Sequence, residues 1–158
     1  MKQNSSWQPG QPLRETPVVT CFLTRTDGAQ SLLLLVRRSQ RVGSYNARWA
    51  GVSGFIEVGV PPDEQAFTEI REETGLQREQ VHMLRRGVVV EYVDASLGRH
   101  WFIHPYLFKV RAPDAIQLDW EATEMRWIAP SELPNFETVP KLMDAYASAV
   151  RGEIIASV

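Results

Sequence analysis

Three glutamates that could bind a metal ion lie close together near the middle of the chain. Glu69, Glu72 and Glu73 share one side of a predicted helix when successive residues are placed about 100° apart. Like charges three or four positions apart cost a helix about 0.2–0.5 kcal/mol per pair, so helix formation alone does not explain this spacing. A hard divalent cation such as Mg²⁺, or Mn²⁺, prefers carboxylate oxygens and bridges to phosphates. The spacing therefore indicates a divalent metal site, and the alternative is an acidic, solvated helix face.

The helix that carries these glutamates is predicted to run from Pro62 to Thr74. This run contains no glycine, its prolines stand at or before the first turn, and Gly75 supplies a left-handed end. Gly54 and Gly59 bracket the preceding loop and let its backbone approach the acidic side closely. The helix is expected to pack through its other side, which consists of Ala66, Phe67, Ile70 and Thr74.

Residues 54–76 resemble the Nudix box, the signature of the Nudix hydrolases. The positions that match its pattern are Gly54, Glu69, Ile70, Glu72, Glu73, Gly75 and Leu76. Val60 stands where the family has glutamate, and Thr68 stands where it has arginine. An acid and a base that are missing together leave no unpaired charge, so the two departures are in one interpretation a linked and harmless loss. In a second interpretation the missing arginine normally orients the carboxylates. In the second case either Arg71 replaces the arginine or turnover is weakened.

The resemblance implies both a fold and a chemistry. The implied fold is an α/β sandwich of the Nudix α/β/α type, with a mixed β-sheet between helices. The family hydrolyses nucleoside diphosphates linked to another moiety, such as nucleotides, dinucleotides, ADP-ribose and nucleotide sugars, so we expect a small phosphorylated substrate. We expect Glu69, Glu72 and Glu73, with a backbone carbonyl of Ser53 or Gly54, to hold Mg²⁺ or Mn²⁺.

The acidic loop at residues 112–123 is expected to face the predicted metal site. It is followed by a segment that resembles the strand after such a loop in Nudix proteins, where a nearby acid is a metal ligand or the catalytic base. Glu121 and Glu124 are the candidates here. The general base that deprotonates the attacking water is therefore Glu72, Glu121 or Glu124, and the sequence leaves the three open.

Candidate substrate contacts precede the predicted metal site. Arginines suit phosphate because the guanidinium fork binds two oxygens at once, which makes Arg37 and Arg48 candidates, with Arg38 and Arg41 beside them. The aromatic rings that could stack on a base or a sugar are those of Tyr45 and Trp49.

The remaining sequence predicts strands on both sides of the helix. Residues 16–26 and 31–37 read as a hairpin around Asp27-Gly28. Residues 81–93 and 100–110 read as a second hairpin, in which Pro105 indicates an edge strand or a bulge. A last helix is predicted over residues 138–150, where the positions at helical spacing are Leu142, Met143, Tyr146, Ala149 and Val150.

The composition is typical of one globular domain. The chain has 158 residues, of which 44% are hydrophobic and 23% charged, and its net charge is −2. We expect a flexible tail at residues 1–14, the catalytic domain at 15–151 and a C-terminal tail at 152–158. The only cysteine, Cys21, excludes an internal disulfide and reads as a small buried hydrophobe. The N-terminal segment is polar and lacks the apolar core of a signal peptide, so we expect a cytoplasmic protein.

Charge and hydropathy also limit the classes of partner that we expect for this protein. No dense Lys/Arg run is present, so we expect no nucleic-acid partner. The longest apolar run, Leu32–Val36, is far too short to span a membrane, so no membrane partner is expected. Homodimers are common among such folds, and by this analogy the resemblance allows a homodimer.

Three other functions are compatible with parts of the sequence. A non-catalytic, regulatory domain of the same fold would explain Val60 and Thr68, although it has little reason to keep three clustered glutamates. Isopentenyl diphosphate isomerase shares the fold, but its chemistry needs a proton-transfer pair, often with a cysteine, and Cys21 lies in an apolar strand. Nucleic-acid binding through exposed tryptophans would require a basic stripe that is missing.

Overall fold

The computed structural model describes residues 7–156, in which a mixed sheet of nine strands lies between two α-helices. Residues 1–6 and 157–158 of the predicted tails lie outside the described residues. The strands are β1 (Arg14–Asp27), β2 (Gln30–Arg38), β3 (Trp49–Ala50), β4 (Val52–Phe55), β5 (Val81–Arg86), β6 (Val90–Asp94), β7 (Arg99–Val110), β8 (Ala122–Ile128) and β9 (Glu153–Ile154). The helices are α1 (Pro62–Thr74) and α2 (Leu142–Val150), with short 3₁₀ turns at Arg78–Gln80, Pro113–Ala115 and Pro130–Asn135.

The long strand β1 organises the sheet. Along one edge it pairs with β7 in parallel, from Arg14 opposite Arg99 to Thr24 opposite Lys109. It also pairs antiparallel with β4 through its first half and with β2 through its second half. Strand β2 in turn pairs with β3 and β8, and β7 pairs with β5 and β6. Strands β4 and β7 therefore flank the first half of β1.

Each face of the sheet carries its own hydrophobic core. Side chains alternate along a strand, so Cys21 of β1 packs on the α1 side with Ile70, while Phe22 packs on the α2 side with Ala145. This arrangement confirms the predicted α/β/α sandwich. Cys21 is fully buried, as predicted. No helix within residues 7–156 has both the length and the apolar character needed to cross a bilayer.

The first hairpin and the central helix form as the sequence predicts. Strands β1 and β2 pair across a turn in which Gly28 has a φ of 60°. Helix α1 spans the predicted residues, and Gly75 ends it with a φ of 75° and donates its N–H to the Arg71 carbonyl. Local signals suffice for both elements because a turn and a helix end depend on neighbouring residues only.

The second predicted hairpin is divided, and Pro105 is not on an edge. β5 and β6 pair with successive parts of β7, which lies between them and β1, so the expectation of an edge strand was wrong. The alternative of a bulge at Pro105 is not found either, because the irregularity in this pairing lies in β5, between Met83 and Arg85. The Gly87 N–H, which lies in the break between β5 and β6, donates to the Pro105 carbonyl at 2.9 Å. The nitrogen and the carbonyl of a strand residue point to the same side, so the nitrogen of Pro105, which has no hydrogen to donate, also faces this break. The interruption of the neighbouring strand accommodates a proline inside the sheet.

The last helix is shorter than predicted. It begins at Leu142, because Lys141 has a left-handed φ of 65° and Thr138 forms a parallel bridge with Trp49. Leu142 packs on the sheet as predicted, but Met143 is 51% exposed. β9 follows α2 and lies within the predicted C-terminal tail, and it pairs with β5.

Candidate metal and substrate site

Helix α1 buries two of the three clustered glutamates. Glu69 and Glu73 are one turn apart, so both project from the same side of the helix. Their exposed fractions are 5% and 8%, whereas Glu72 points to solvent. The backbone N–H of Ser53 in β4 donates to Glu73 Oε2 at 2.9 Å. The acidic side of α1 therefore packs against β4, and the alternative of a fully solvated acidic face is excluded.

Glu121 joins these two glutamates from the loop between β7 and β8. The loop is fastened to the end of α1, where the Gln117 N–H donates to the Thr74 carbonyl at 2.8 Å. One carboxylate oxygen from each of Glu69, Glu73 and Glu121 lies within 4.8 Å of the others. This grouping fulfils the expectation that the acidic loop faces α1.

The clustered carboxyl groups have strongly perturbed proton affinities. Burial, and then the charge of Glu72, raises the pKa of Glu69 to about 8. Burial, and then the hydrogen bond and charge of Glu121, raises the pKa of Glu73 well above its ordinary value. Three close oxygen donors that repel one another fit a hard divalent cation such as Mg²⁺ or Mn²⁺, because the cation would replace the protons and remove the repulsion.

Gly54 gives the Glu69 carboxylate the space that it occupies. A Cβ added at this position would overlap all three atoms of that carboxylate. Gln65 also contacts this carboxylate, since its Nε2 donates to Glu69 Oε1 at 3.0 Å. The glycine at the start of the Nudix-like segment therefore has a steric role in the cluster.

A cavity of about 150 Å³ extends from Glu69 and Glu121 across the α2 side of the sheet. Near the carboxylates its wall includes Arg38, whose Nε donates to the Ser44 carbonyl at 2.9 Å. Burial lowers the pKa of Arg38, although the charges of Glu73 and Glu121 favour its protonated form. Acidic groups and a guanidinium thus lie side by side at this end of the cavity.

The other end of the cavity is aromatic and cationic. Phe55 and Trp101 form its walls with nearly parallel rings, 24° apart in plane and 6.1 Å apart at their centres. The guanidinium carbon of Arg99 lies 6.0 Å from the Phe55 ring centre and 5.7 Å from that of Trp101, and its Nη1 donates to Thr16 Oγ1. Burial, and then the charge of Arg14, lowers the pKa of Arg99.

Tyr45 connects the loop after β2 to this aromatic end. Its hydroxyl donates to Asp94 Oδ2 at 2.7 Å and accepts from Trp101 Nε1 at 3.1 Å. The backbone of Tyr45 has a φ of 50°, a left-handed conformation that residues other than glycine rarely adopt. The hydrogen bonds hold the ring at the cavity wall despite this backbone conformation.

The structure brings together many of the residues that the sequence singled out, but not all. Those that meet at the carboxylate cluster or the cavity are Glu69, Glu73, Glu121, Ser53, Gly54, Arg38 and Tyr45. Glu124 lies on β8 and forms an ion pair with Arg37 at 3.0 Å, half-exposed on the surface. Arg48 donates to the Thr138 carbonyl at 3.2 Å, and Trp49 is buried against Phe136.

Four contributors to the site were missed by the sequence analysis: Phe55, Gln65, Arg99 and Trp101. Arg99, Trp101 and Ile103 are every second residue of β7, so their side chains lie on the same face of the sheet. A strand prediction contains this period-two pattern in principle. The sequence could not indicate which face of β7 lines a cavity, because that depends on pairing with β1 far away in the chain.

Comparison with known proteins identifies relatives of this fold. The family model of the NUDIX domain matches residues 14–148. The putative mutator protein MutT4 of Mycobacterium tuberculosis (strain CDC 1551 / Oshkosh) is 30% identical over 89 residues, which cover 55% of this chain and 35% of that protein. The match thus spans well under half the length of this curated relative.

Solved structures of low sequence identity share the same fold. A binary complex of the C. elegans Ap4A hydrolase has a TM-score of 0.71 at 17% identity, covering 84% of this chain and 93% of that one. The NUDIX domain of Shewanella oneidensis NrtR, solved with ADP ribose, has a TM-score of 0.66 at 15% identity, covering 92% of this chain and 95% of that one.

Proposed function

Because this chain belongs to the NUDIX domain family, we propose that it is a metal-dependent hydrolase that cleaves a diphosphate linkage in a nucleoside diphosphate derivative. Family membership, together with the Nudix hydrolases that share its fold, supports pyrophosphohydrolase activity. The observation that carries the proposal is the group formed by the buried carboxylates of Glu69 and Glu73 and the partly buried carboxylate of Glu121, at one end of an aromatic cavity.

The candidate substrates are nucleotides, dinucleotides, ADP-ribose and nucleotide sugars. Similarity of fold to an Ap4A hydrolase and to an ADP-ribose-binding domain supports this class as a whole. The cavity supports it as well, because Phe55 and Trp101 offer ring faces for a base and Arg38 offers donors for phosphate oxygens. In this arrangement the diphosphate lies at the carboxylates and the base lies toward Arg99.

Each residue has a proposed task in the reaction. Glu69 and Glu73 would hold Mg²⁺ or Mn²⁺, with the solvent-exposed Glu72 as a further ligand, and a bound cation would neutralise the diphosphate and lower the pKa of water. The loop that carries Glu121 is fastened to α1, and Glu121 lines the cavity, so it is the best placed of the three candidate bases. Glu124 is engaged by Arg37 and is the least well placed.

The test is hydrolysis of a substrate panel. Nucleoside triphosphates, dinucleoside polyphosphates, ADP-ribose and nucleotide sugars are incubated with Mg²⁺ or Mn²⁺, or with EDTA. We expect metal-dependent turnover of one class, reduced about 100-fold or more in Glu73→Gln because a ligand is lost. The matched control is Glu79→Gln, an exposed glutamate beyond the end of α1.

The second candidate function is a non-catalytic domain that binds the same ligands. Val60 and Thr68, which depart from the family pattern, favour it. Tight binding of a nucleotide derivative with no turnover of any substrate would establish this alternative and overturn the hydrolase. The isomerase alternative is disfavoured, since the Cys21 thiol is fully buried and burial raises its pKa.

A further inference from the structure

Gln65 is a buried amide that joins α1 to the loop before it. Its side chain is almost fully buried, with 2% of the residue exposed. Its Nε2 donates to Glu69 Oε1 at 3.0 Å, and its Oε1 accepts the backbone N–H of Glu57 at 3.1 Å. The amide therefore uses its donor and its acceptor on two different segments, the helix and the loop.

The same two segments lack the ion pair that the family pattern offers. Val60 lies in the loop and Thr68 on the helix, both partly exposed, where the pattern has an acid and a base. Arg71, the other candidate replacement, is exposed to solvent. Gln65 thus supplies a polar connection between loop and helix where the charged one is missing.

The connection acts directly on a carboxylate of the cluster. A glutamate side chain has three rotatable bonds, and a metal site works only when its oxygens are held in place. Gln65 donates a hydrogen bond to Oε1 of Glu69, while the absence of a side chain at Gly54 leaves room for that carboxylate. A neutral donor holds the carboxylate without competing for it as a cation would.

We propose that Gln65 is a positioning residue that holds Glu69 in its metal-binding orientation and so compensates for Val60 and Thr68. This inference rests on the proposed function, since it concerns the orientation of one of the proposed ligands. It predicts that metal affinity, more than substrate affinity, depends on the amide of Gln65.

The first test compares Mn²⁺ binding by the wild type and by Gln65→Met, which keeps the volume of the side chain and removes its hydrogen bonds. Free Mn²⁺ is titrated by electron paramagnetic resonance without substrate, and folding is checked by circular dichroism. We expect Kd for Mn²⁺ to rise about 10- to 100-fold, as for other residues that orient metal ligands. Gln30→Met, at the exposed first residue of β2, is the matched control and is expected to bind like the wild type.

Kinetics and rescue separate positioning from a merely structural role. At saturating Mn²⁺, KM for the substrate in Gln65→Met is expected to stay within about threefold of the wild type, while the Mn²⁺ concentration for half-maximal rate rises about tenfold or more. Adding Val60→Glu and Thr68→Arg to Gln65→Met is expected to recover about tenfold in Mn²⁺ affinity, because the ion pair reconnects the same two segments.

The outcomes are distinct from those that test the proposed function. A wild type that neither binds Mn²⁺ nor turns over any substrate overturns the hydrolase itself. A wild type that binds Mn²⁺, with a folded Gln65→Met that binds it equally well, overturns only the role of Gln65. If Gln65→Met does not fold, Gln65→Asn keeps a polar group but is one methylene too short to reach both partners. We expect Gln65→Asn to lose Mn²⁺ affinity as well, and unchanged affinity in it overturns the role.

Discussion

At the scale of single residues, the candidate site contains two buried carboxyl groups and a third, partly buried one close to them. Glu69 and Glu73 are placed by α1 and Glu121 by a loop, and burial, followed by the effect of neighbouring carboxylates, raises the pKa of Glu69 and of Glu73. Buried like charges of this kind are costly for a fold and are a common feature of functional sites. This free-energy cost destabilises the metal-free protein, so we expect its free energy of unfolding to change with the ionisation of these carboxyl groups.

The free energy of unfolding of the metal-free protein is expected to fall as the pH rises. The pKa of Glu69 is about 8 in the folded protein against an ordinary 4.5, so between these values the folded state keeps a proton that the unfolded state has lost. The contribution of Glu69 to the free energy of unfolding is therefore fully present below its unfolded pKa, and it is lost as the pH rises through its folded pKa. In EDTA we expect Tm to drop by at least about 5 °C between pH 6 and pH 8.

Two comparisons identify Glu69 as the source of this effect. The variant Glu69→Gln cannot ionise at this position and should show a flatter profile of Tm against pH. Added Mn²⁺ should raise Tm more at the higher pH, because the ligands must lose their protons to bind metal. A Tm in EDTA that rises over the same interval would contradict the prediction.

At the scale of elements, α1 is fixed at its first turn as well as at its end. Asp63 accepts two hydrogen bonds from the Arg86 guanidinium of β5, and it accepts the Tyr106 hydroxyl of β7 at 2.6 Å. Arg86 also pairs with Glu153 of β9 at 3.0 Å. Hydrogen bonding to Arg86 lowers the pKa of Asp63, which keeps this contact ionised. The network ties the helix of the site to three strands of the sheet, β5, β7 and β9.

Removal of this contact is expected to destabilise the fold. Asp63→Asn breaks the ion pair with Arg86, and we expect it to lower the free energy of unfolding by about 1–2 kcal/mol, a modest value because both side chains are more than one-third exposed. Urea denaturation measures the change. The matched control is Glu64→Gln, whose partner Arg78 is more exposed, and its expected loss is below about 0.5 kcal/mol. Equal losses in the two variants would show that Asp63 has no special role.

At the scale of the whole molecule, the cavity has two chemically different ends. Helix α1 and the loop before β8 bring carboxylates to one end, whereas β4 and β7 bring Phe55, Trp101 and Arg99 to the other. A nucleotide derivative has the same division between a diphosphate and a base. In the proposed function, the sheet would set the distance between the diphosphate and the base of the substrate.

Substitution of Arg99 tests the recognition end alone. Arg99→Met keeps much of the side-chain volume but removes the buried guanidinium, and we expect KM for the preferred substrate to rise about tenfold, with kcat within about threefold. Steady-state kinetics at saturating metal measure both constants. The exposed Arg151→Met is the control and is expected to behave like the wild type. An unchanged KM in Arg99→Met would remove Arg99 from the substrate site.

The sequence by itself determined the features that depend on neighbouring residues. Helix α1 with its end at Gly75, the first hairpin, and the pairing of Glu69 with Glu73 on one helix side all follow from local spacing. The Nudix-like segment also identified the fold, because a match at so many spaced positions is specific. Local rules failed at Lys141, where a bridge between Thr138 and Trp49 holds the chain out of the helix.

Only the tertiary structure decided which side chains meet at the site. Glu121 and Glu124 looked equivalent in the sequence, yet the first closes the carboxylate cluster and the second pairs with Arg37 on the surface. Tyr45 and Trp49 were equal candidates too, and only Tyr45 reaches the cavity. The physical reason is that strand register and loop closure join residues far apart in the chain, and a shift of one residue turns a side chain from one face of the sheet to the other.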